Sequence, residues 1–323
     1  YIWSPNTTQE WDQVRVINGG KITHTAGNGV GVYLTANTLL VDSNSSIDVS
    51  WQGSATQPGA YAGGSHGGRG GNYSGGSRAT FGDLRGPVTL GEAGYGGMRG
   101  GGKVRLVVGS LQLDGQLLSN GRPGASNYQG GGAGGSVGLE VGVLTGTGQI
   151  RADGAAYRYR GGGGGGGRVA IYYDSVVDFD LTNQVHCIGG DGYGNGSDGA
   201  AGTIYLKDKA QGTGFVRISN EGFGTAGTYC DILPSLTERV SVDRARVIFT
   251  QGVTSEWVEV SSAWVRLNRH CAVSNLAVSA STCTQNGDLS CDVLTVAGGS
   301  WTQNGVLDVR SLLVTGTTWN QTR

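Results

Sequence analysis

The C-terminal stretch decides the fold, because it reads as three matching rows: CAVSNLAVSASTCTQNGD (271–288), LSCDVLTVAGGSWTQNGV (289–306) and LDVRSLLVTGTTWNQTR (307–323). The rows repeat every 18 residues, and the same period extends back to residue 236. Residues that share a phase are mostly apolar, as in Val240, Val258, Leu276, Leu294 and Leu312. A fixed period of roughly 20 residues, built from V-x-V or L-x-V pieces, is typical of a β-solenoid.

The alternation within each row predicts which side chains face inward. In V-x-V the two apolar side chains lie on one face of a strand and the middle residue lies on the other. Three such pieces per row predict a coil of about three short strands, with successive coils stacked roughly 4.8 Å apart. Asn268, Asn286 and Asn304 share one phase and predict an amide ladder along a turn.

A looser form of the same pattern precedes the regular rows. Residues 104–121 and 137–154 align with each other, and they end in Asn-Gly and Asp-Gly turns respectively. We therefore predict an all-β protein, a single-stranded parallel β-helix (β-solenoid) with glycine-rich loop insertions on one side. The insertions are 54–102, 122–135, 155–167 and 193–202. The predicted divisions are 1–31, an N-terminal extension and first coil; 32–222, coils with insertions; and 223–323, the regular repeat.

Glycine accounts for 63 of the 323 residues, and this abundance has two interpretations. Glycine-rich segments serve as flexible linkers, because glycine loses the most entropy on ordering. They also form packed layers, because segments without side chains approach one another closely. Tyrosines and arginines are interspersed in these insertions, and stacking of arginine on tyrosine would hold the segments in place.

One part of the chain resembles a known kind of protein. The run GGGAGGSVGLEVGVLTGTGQIRADG (130–154), followed by the glycines of 161–167 and RVAIYY (168–173), resembles the glycine-rich repeats of large secreted or surface proteins of bacteria and protists. The match covers about residues 103–222 and is compositional. It implies a parallel β-helix in an adhesin, a cell-wall component or a fibre subunit, and it implies location more than activity.

Charge and hydropathy exclude several partners. With a net charge of −1, the chain lacks the excess of positive charge that binding to nucleic acid or an anionic membrane requires. No apolar run is long enough to span a bilayer, so we expect no membrane span. The chain begins at Tyr1 without a signal sequence, which fits a processed mature protein or a fragment. We expect an extracellular or cell-surface protein.

Three of the five cysteines occupy inward phases of the repeat, namely Cys271, Cys283 and Cys291. They predict core packing, with one or two disulfides if the chain is secreted. Both Cys271–Cys291 and Cys271–Cys283 remain open as pairings. No Cys-x-x-Cys or Cys/His spacing predicts zinc, and we expect no metal and no cofactor.

Five Asn-x-Ser/Thr sequons mark candidate glycosylation sites, which a eukaryotic secreted protein would use. They are Asn6, Asn44, Asn72, Asn195 and Asn320.

The sequence offers little for catalysis. Asp174, Asp178 and Asp180 form the densest acidic patch, which reads more simply as a solvated turn. The exterior phase Glu256, Ser274, Asp292, Arg310 provides no pair of neighbouring acids for glycoside chemistry. We therefore predict that the chain is not an enzyme, and a polysaccharide-active enzyme ranks last among the alternatives.

Both ends of the repeat resemble interior coils and carry no polar cap. The candidate assembly residues are Trp3, Trp11, Val14, Val16, Leu312, Val314 and Trp319. Such ends favour head-to-tail contact with further copies, which produces an open filament unless the rotation closes. We predict a structural subunit of an extracellular filament or appendage. The alternative is a carbohydrate-binding adhesin module, in which glycans bind the insertions or Trp51, Trp257 and Trp264.

Overall fold

A computed structural model describes residues 2–5, 7–126, 128–156, 160–192, 196–221, 228–232 and 235–322. The described residues form strands, turns and extended segments, and none of them lies in a helix. The strands alternate buried and exposed side chains, as the V-x-V pieces predict; in Cys271–Gln285 nearly every second residue is buried. The all-β class is therefore confirmed.

The described residues form 22 strands. The first twelve are β1 (Ile2–Trp3), β2 (Gln9–Val16), β3 (Lys21–Ile22), β4 (Val32–Val41), β5 (Ser46–Asp48), β6 (Lys103–Leu113), β7 (Gln116–Leu118), β8 (Ser136–Thr145), β9 (Gln149–Arg151), β10 (Arg168–Val177), β11 (Val185–His186) and β12 (Thr203–Asp208). The remaining ten are β13 (Phe215–Ser219), β14 (Cys230–Ile232), β15 (Arg239–Asp243), β16 (Arg246–Phe249), β17 (Val253–Ser261), β18 (Trp264–Leu267), β19 (Cys271–Gln285), β20 (Leu289–Gln303), β21 (Leu307–Thr315) and β22 (Thr318–Gln321).

Two sheets organise these strands. The smaller sheet is parallel and has six strands in the order β1-β3-β5-β7-β9-β11. The larger sheet has 16 strands and contains all the others. Its long path runs from β2 through β4, β6, β8, β10 and β12 to β13, and then through β15, β17 and β19 to β20 and β21.

The large sheet is mixed, and this finding overturns the predicted single-stranded parallel β-solenoid. β12 and β13 pair antiparallel, whereas their other neighbours pair parallel. The reason is a hairpin whose loop covers residues 209–214. The backbone carbonyl of Asp208 accepts from the N–H of Gln211 at 3.0 Å, its carboxylate accepts from the N–H of Ala210 at 2.9 Å, and the chain returns beside the strand it has just left. Strands from β13 onward therefore run opposite to those from β2 to β12. The all-β class predicted from the repeat was right, whereas the predicted single-stranded solenoid was wrong.

The strands after this hairpin keep the 18-residue spacing in their pairing. Val258 of β17 pairs with Leu276 of β19, which pairs with Leu294 of β20, and Leu294 pairs with Leu312 of β21. Before the hairpin the spacing varies. Leu39 pairs with Leu111 across 72 positions, while Leu106 pairs with Leu139 across 33. The glycine-rich segments account for these differences.

Two apolar clusters fill the interior, the first mostly among β2–β12 and the second mostly among β13–β22, with Ala170 of β10 and Tyr205 of β12 also in the second. Trp301 is the largest fully buried side chain. The predicted amide ladder is confirmed beside the second cluster. Asn286 Nδ2 donates to Asn268 Oδ1, and Asn304 Nδ2 donates to Asn286 Oδ1, each at 2.9 Å.

The glycine-rich segments pack together as a bundle, which we call the glycine bundle. It comprises residues 61–71, 91–101, 130–135, 152–155, 161–167, 188–192 and 196–202. Successive N–H groups of 161–167 donate to three different neighbouring segments and return to the same segment every third residue. The pairs are Gly162 to Tyr61 O, Gly165 to Gly64 O, Gly163 to Ser197 O, Gly166 to Ala200 O, Gly164 to Ala155 O and Gly167 to Ala152 O, all at 2.7–3.1 Å. A period of three is that of a polyproline II helix.

Carbonyl groups of the same segment point to further neighbours. Gly162 O and Gly165 O accept from Gly131 and Gly134, and Gly163 O accepts from Gly71. A Cβ on Gly165 would collide with the carbonyl of Gly68, and nearly every glycine of this central segment is hemmed in by backbone in the same way. Of the two interpretations of the glycine content, the packed layer is the one present in these segments.

Ion pairs join residues 54–102 to the strands after the hairpin. Arg69 Nε lies 2.6 Å from Asp231 Oδ2, and Arg85 contacts both carboxylate oxygens of Glu238 at 2.6 and 2.9 Å. Both carboxylates are almost fully buried, and Leu84 packs into the second apolar cluster. This segment therefore connects the two parts of the molecule.

Candidate functional site: the free edges of the large sheet

The large sheet ends in two long strands that each have a single strand neighbour among the described residues. β2 pairs only with β4, and β21 pairs only with β20. Each strand therefore presents a row of backbone N–H and C=O groups with no strand beside it. Such a row is a template for pairing with another chain.

The inward-facing positions of the two edge strands have the same spacing. They are Gln9, Trp11, Val14 and Val16 in β2, and Leu307, Val309, Leu312 and Val314 in β21. The steps are two, three and two residues in both strands, so the spacing is the same in either direction. Because the hairpin after β12 reverses the chain, a sheet continued into another copy would bring β21 and β2 together antiparallel. That pairing would set Leu307 opposite Val16 and Leu312 opposite Trp11.

Apolar surface is exposed at both edges. Leu312 is 50% exposed, whereas Leu294, its partner one strand further in, is fully buried. Val314 is 37% exposed. At the other edge Trp11 is 53% exposed, and Val14 is half-buried next to buried Val16. Another strand added at either edge would remove this surface from water.

The outward-facing charges of the two edges would be complementary in this antiparallel register. Arg15 precedes Val16 and Asp308 follows Leu307, so the two would lie opposite each other in such a pair, and both are exposed. Asp12 lies near the position that Arg310 would take. Within the chain Arg310 contacts Asp292 at 3.3 Å, and Asn37 Nδ2 donates to Asp12 Oδ1 at 2.6 Å. Opposite charges directly across a strand pair stabilise it.

Tryptophans cover the ends of the apolar clusters. Trp3 lies in β1 and packs, half-buried, against the first cluster. Trp319 lies in β22 and stacks on Trp301, with ring centroids 5.7 Å apart and an angle of 18° between the rings. The structure thus places all the candidate assembly residues at the two ends of the molecule.

The predicted disulfides are absent, since all five cysteines are buried free thiols. Cys271 pairs with Leu289, while Cys291 pairs with Val273, so Cys271 and Cys291 are diagonal neighbours on adjacent strands. Diagonal positions lie roughly 7–8 Å apart, which exceeds the span of a disulfide. Cys283 lies towards the other end of β19 and pairs with Trp301. Burial raises the pKa of each thiol, to about 12 for Cys230.

Three of the five sequons lie at exposed asparagines, namely Asn44, Asn72 and Asn320. Asn6 and Asn195 lie outside the described residues. The exposed three are accessible for modification.

Two of the three tryptophans considered for glycan binding stack with guanidinium groups. Arg239 lies 5.1 Å from the ring centroid of Trp257, and Arg246 and Arg266 each lie 5.0 Å from that of Trp264. Trp51 is 50% exposed, and its indole N–H donates to Gly121 O at 3.1 Å. The stacked arginines compete with a sugar ring for the faces of Trp257 and Trp264.

The acidic patch is occupied by local contacts. Asp174 pairs with Lys209 at 3.0 Å, and the carboxylate of Asp180 accepts from the N–H groups of Thr182 and Asn183. The Asn183 side-chain amide also donates to Asp180 Oδ2 at 2.7 Å, and this hydrogen bond, together with the two backbone ones, lowers the pKa of Asp180. Within the described ranges, no three His, Cys, Asp or Glu side chains gather as metal ligands, and no helix has the length and hydropathy to cross a bilayer.

Searches of the chain against protein-family models, curated proteins and solved structures found no match.

Sequence reasoning missed Arg15 and Asp308 as edge residues. Their correspondence depends on the antiparallel register, and that register follows from the hairpin between β12 and β13. The available signal was the Asp208–Gly214 turn composition, which precedes a strand with the same apolar alternation as the strand before it.

Proposed function

We propose that this chain is a structural subunit of an extracellular filament or appendage, in which β21 of one copy pairs antiparallel with β2 of the next. The observation that carries the proposal is the shared two-three-two spacing of inward residues on the two free edges. A contact between different edges of identical copies is heterologous and builds an open filament unless it closes into a ring.

The charges favour this arrangement over contact between two β21 edges. In an antiparallel β21–β21 pair, Asp308 would lie opposite Leu313, which places a carboxylate against an exposed apolar side chain. In the β21–β2 pair, Asp308 lies opposite Arg15. Contact between two β2 edges would set Glu10 opposite Arg15. The charge exchange described next distinguishes this contact from the β21–β2 pair.

A charge exchange tests the proposal. We expect Arg15→Asp and Asp308→Arg to weaken self-association separately, and the double variant to restore it, because the pair is re-formed with reversed sign. Sedimentation velocity measures the association and electron microscopy shows the filament. Unchanged far-ultraviolet circular dichroism confirms that each variant is folded. Val177→Asp is the matched control, since Val177 is 49% exposed in β10.

The results distinguish the alternatives. A β2–β2 contact predicts that Asp308→Arg has no effect and does not rescue Arg15→Asp. Monomers at every concentration would contradict assembly altogether. Twelve strands lie on the path from β2 to β21, so a head-to-tail filament has an axial repeat on the order of 60 Å.

A further inference from the structure

Four tyrosines meet at one end of the glycine bundle. The ring centroid of Tyr61 lies 5.0 Å from that of Tyr128, 5.1 Å from that of Tyr95 and 5.9 Å from that of Tyr73. Tyr128 is 42% exposed, and the other three are partly exposed. The cluster joins tyrosines that lie far apart in sequence, on segments 59–76, 91–98 and 128–132.

The backbone holds the rings together. Tyr95 N–H donates to Ala62 O at 3.0 Å, Tyr95 O accepts from Gly130 at 2.9 Å, and Tyr61 O accepts from Gly162 at 2.9 Å. Tyr61 and Tyr128 have φ angles of +61° and +66°, which bulky residues rarely adopt. Strained backbone of this kind clusters at functional positions. The two strained residues are the pair whose rings are nearest.

The tyrosines are also the oxidisable side chains that an external oxidant can reach at this end of the bundle. Reactive cysteines are exposed thiolates, whereas all five thiols here are buried and carry raised pKa values. Covalent reinforcement of the bundle through sulfur would require those thiols to become exposed. Phenol coupling requires no such rearrangement.

We propose that Tyr61 is a site of oxidative cross-linking, which joins it through a carbon–carbon bond to Tyr95 or Tyr128 of the same chain. A peroxidase removes one electron and the phenolic proton from each of two tyrosines. The two radicals combine at their ortho carbons, and the hydrogen atoms on those carbons move to the oxygens, which restores both phenols. One hydrogen peroxide accepts the two electrons and two protons and becomes two waters.

The chain contains a matched pair for comparison. The rings of Tyr172 and Tyr205 lie 5.5 Å apart, yet Tyr205 is 5% exposed, and Tyr172 donates its hydroxyl hydrogen to Arg85 O at 2.9 Å. Burial raises the pKa of Tyr205 to about 12. The rings of the two tyrosine pairs are therefore similarly close, whereas an external oxidant reaches Tyr61 and Tyr128 more easily than Tyr205.

The test treats the full chain with a haem peroxidase and hydrogen peroxide at low protein concentration, isolates the monomer and digests it with trypsin. We expect mass spectrometry to show peptides joined with the loss of two hydrogen atoms, linking Tyr61 to Tyr95 or Tyr128. Tyr61→Phe abolishes these products, Tyr128→Phe leaves only the Tyr95 link, and Tyr172→Phe changes nothing. Cross-links that persist in Tyr61→Phe, equal yield at Tyr172–Tyr205, or a monomer without any cross-link would overturn the proposal. Because monomers are analysed, the outcome does not depend on filament assembly.

Discussion

The two parts of the molecule on either side of the β12–β13 hairpin fill their interiors in different ways. After the hairpin, strands pair every 18 residues and side chains fill the space between them. Before it, the pairing distance varies, and segments almost without side chains pack backbone against backbone beside the strands. In the first case apolar burial provides the stability. In the second, hydrogen bonds between bare segments satisfy the backbone in an interior with little room for side chains.

This difference predicts different tolerance to substitution. A side-chain core relaxes partly around a missing group, so truncation costs a limited amount. A bundle of bare backbones has no group to remove and no space for an added one, so even a small added side chain must separate segments.

The largest effect is expected in the centre of the glycine bundle. In Gly165→Val the new side chain collides with the carbonyl of Gly68, and the hydrogen bond to Gly64 breaks. We expect a loss of about 4 kcal/mol or more in the free energy of unfolding, measured by urea denaturation with circular dichroism. Gly76→Val is the control, since a Cβ at Gly76 meets no atom within 4 Å. Equal unfolding midpoints for the two variants would contradict a packed bundle.

Truncation in the other part should cost somewhat less. Trp301 is fully buried and stacks on Trp319, so Trp301→Ala removes its burial and leaves a cavity. We expect a destabilisation of about 3–5 kcal/mol in the same assay, and less than about 1 kcal/mol for Trp11→Ala, whose side chain is 53% exposed. If Trp301→Ala were as stable as Trp11→Ala, the core around Trp301 would not be what stabilises the C-terminal part of the chain.

The next largest effect concerns how the free energy of unfolding depends on pH, which should differ between the two parts. His66 lies in the first part, fully buried, with Nδ1 2.9 Å from Gly134 O and Nε2 2.7 Å from Thr89 Oγ1. Burial lowers its pKa from 6.5 to about 3, so the folded state holds His66 neutral while the unfolded state takes up a proton below pH 6.5. Stability from this group is present above pH 6.5 and is lost as the pH falls towards 3.

We expect this loss to reach about 2 kcal/mol at pH 5 compared with pH 8. Denaturation of His66→Gln at both values should show a smaller pH dependence, with the remainder due partly to buried His24, whose pKa burial also lowers. His270→Gln, at an exposed position, controls for the substitution itself. A pH dependence identical in wild type and His66→Gln would contradict a neutral buried imidazole.

The smallest effect concerns the amide ladder of the second part. Asn286→Ala removes the central amide, which both donates and accepts at 2.9 Å. We expect a loss of about 1 kcal/mol, because the site is exposed and water replaces part of the bonding. The same change at exposed Asn320 should cost less. If the two variants were equally stable, the ladder would add nothing to the stability of the repeat.

Side-chain patterns allowed the second part to be predicted in detail. The V-x-V alternation fixed which residues face inward, and the common phase of Asn268, Asn286 and Asn304 predicted their ladder. These features depend on residue type, so they are visible in the sequence. The candidate assembly residues were chosen because they lie at the two ends of the repeat, and their role in assembly stays a prediction.

The hairpin and the glycine bundle could not be predicted in the same way. Ile204 and Val216 belong to strands of similar alternation, and that alternation is equally compatible with parallel or antiparallel pairing. In Gly161–Gly167 every residue is identical, so the sequence does not show that the direction of the hydrogen bonds repeats every third residue. The register proposed between the edges depends on the first of these features, so the proposed pairing of Arg15 with Asp308 could not be predicted from the sequence.

The threefold direction of hydrogen bonds in Gly161–Gly167 has a consequence for how this part of the molecule can evolve. Deleting three residues returns each remaining N–H group to the direction it had, whereas deleting one or two turns the whole segment towards the wrong neighbours. Related chains should therefore differ in this segment by insertions and deletions of three residues, while almost every exchange of a central glycine is eliminated.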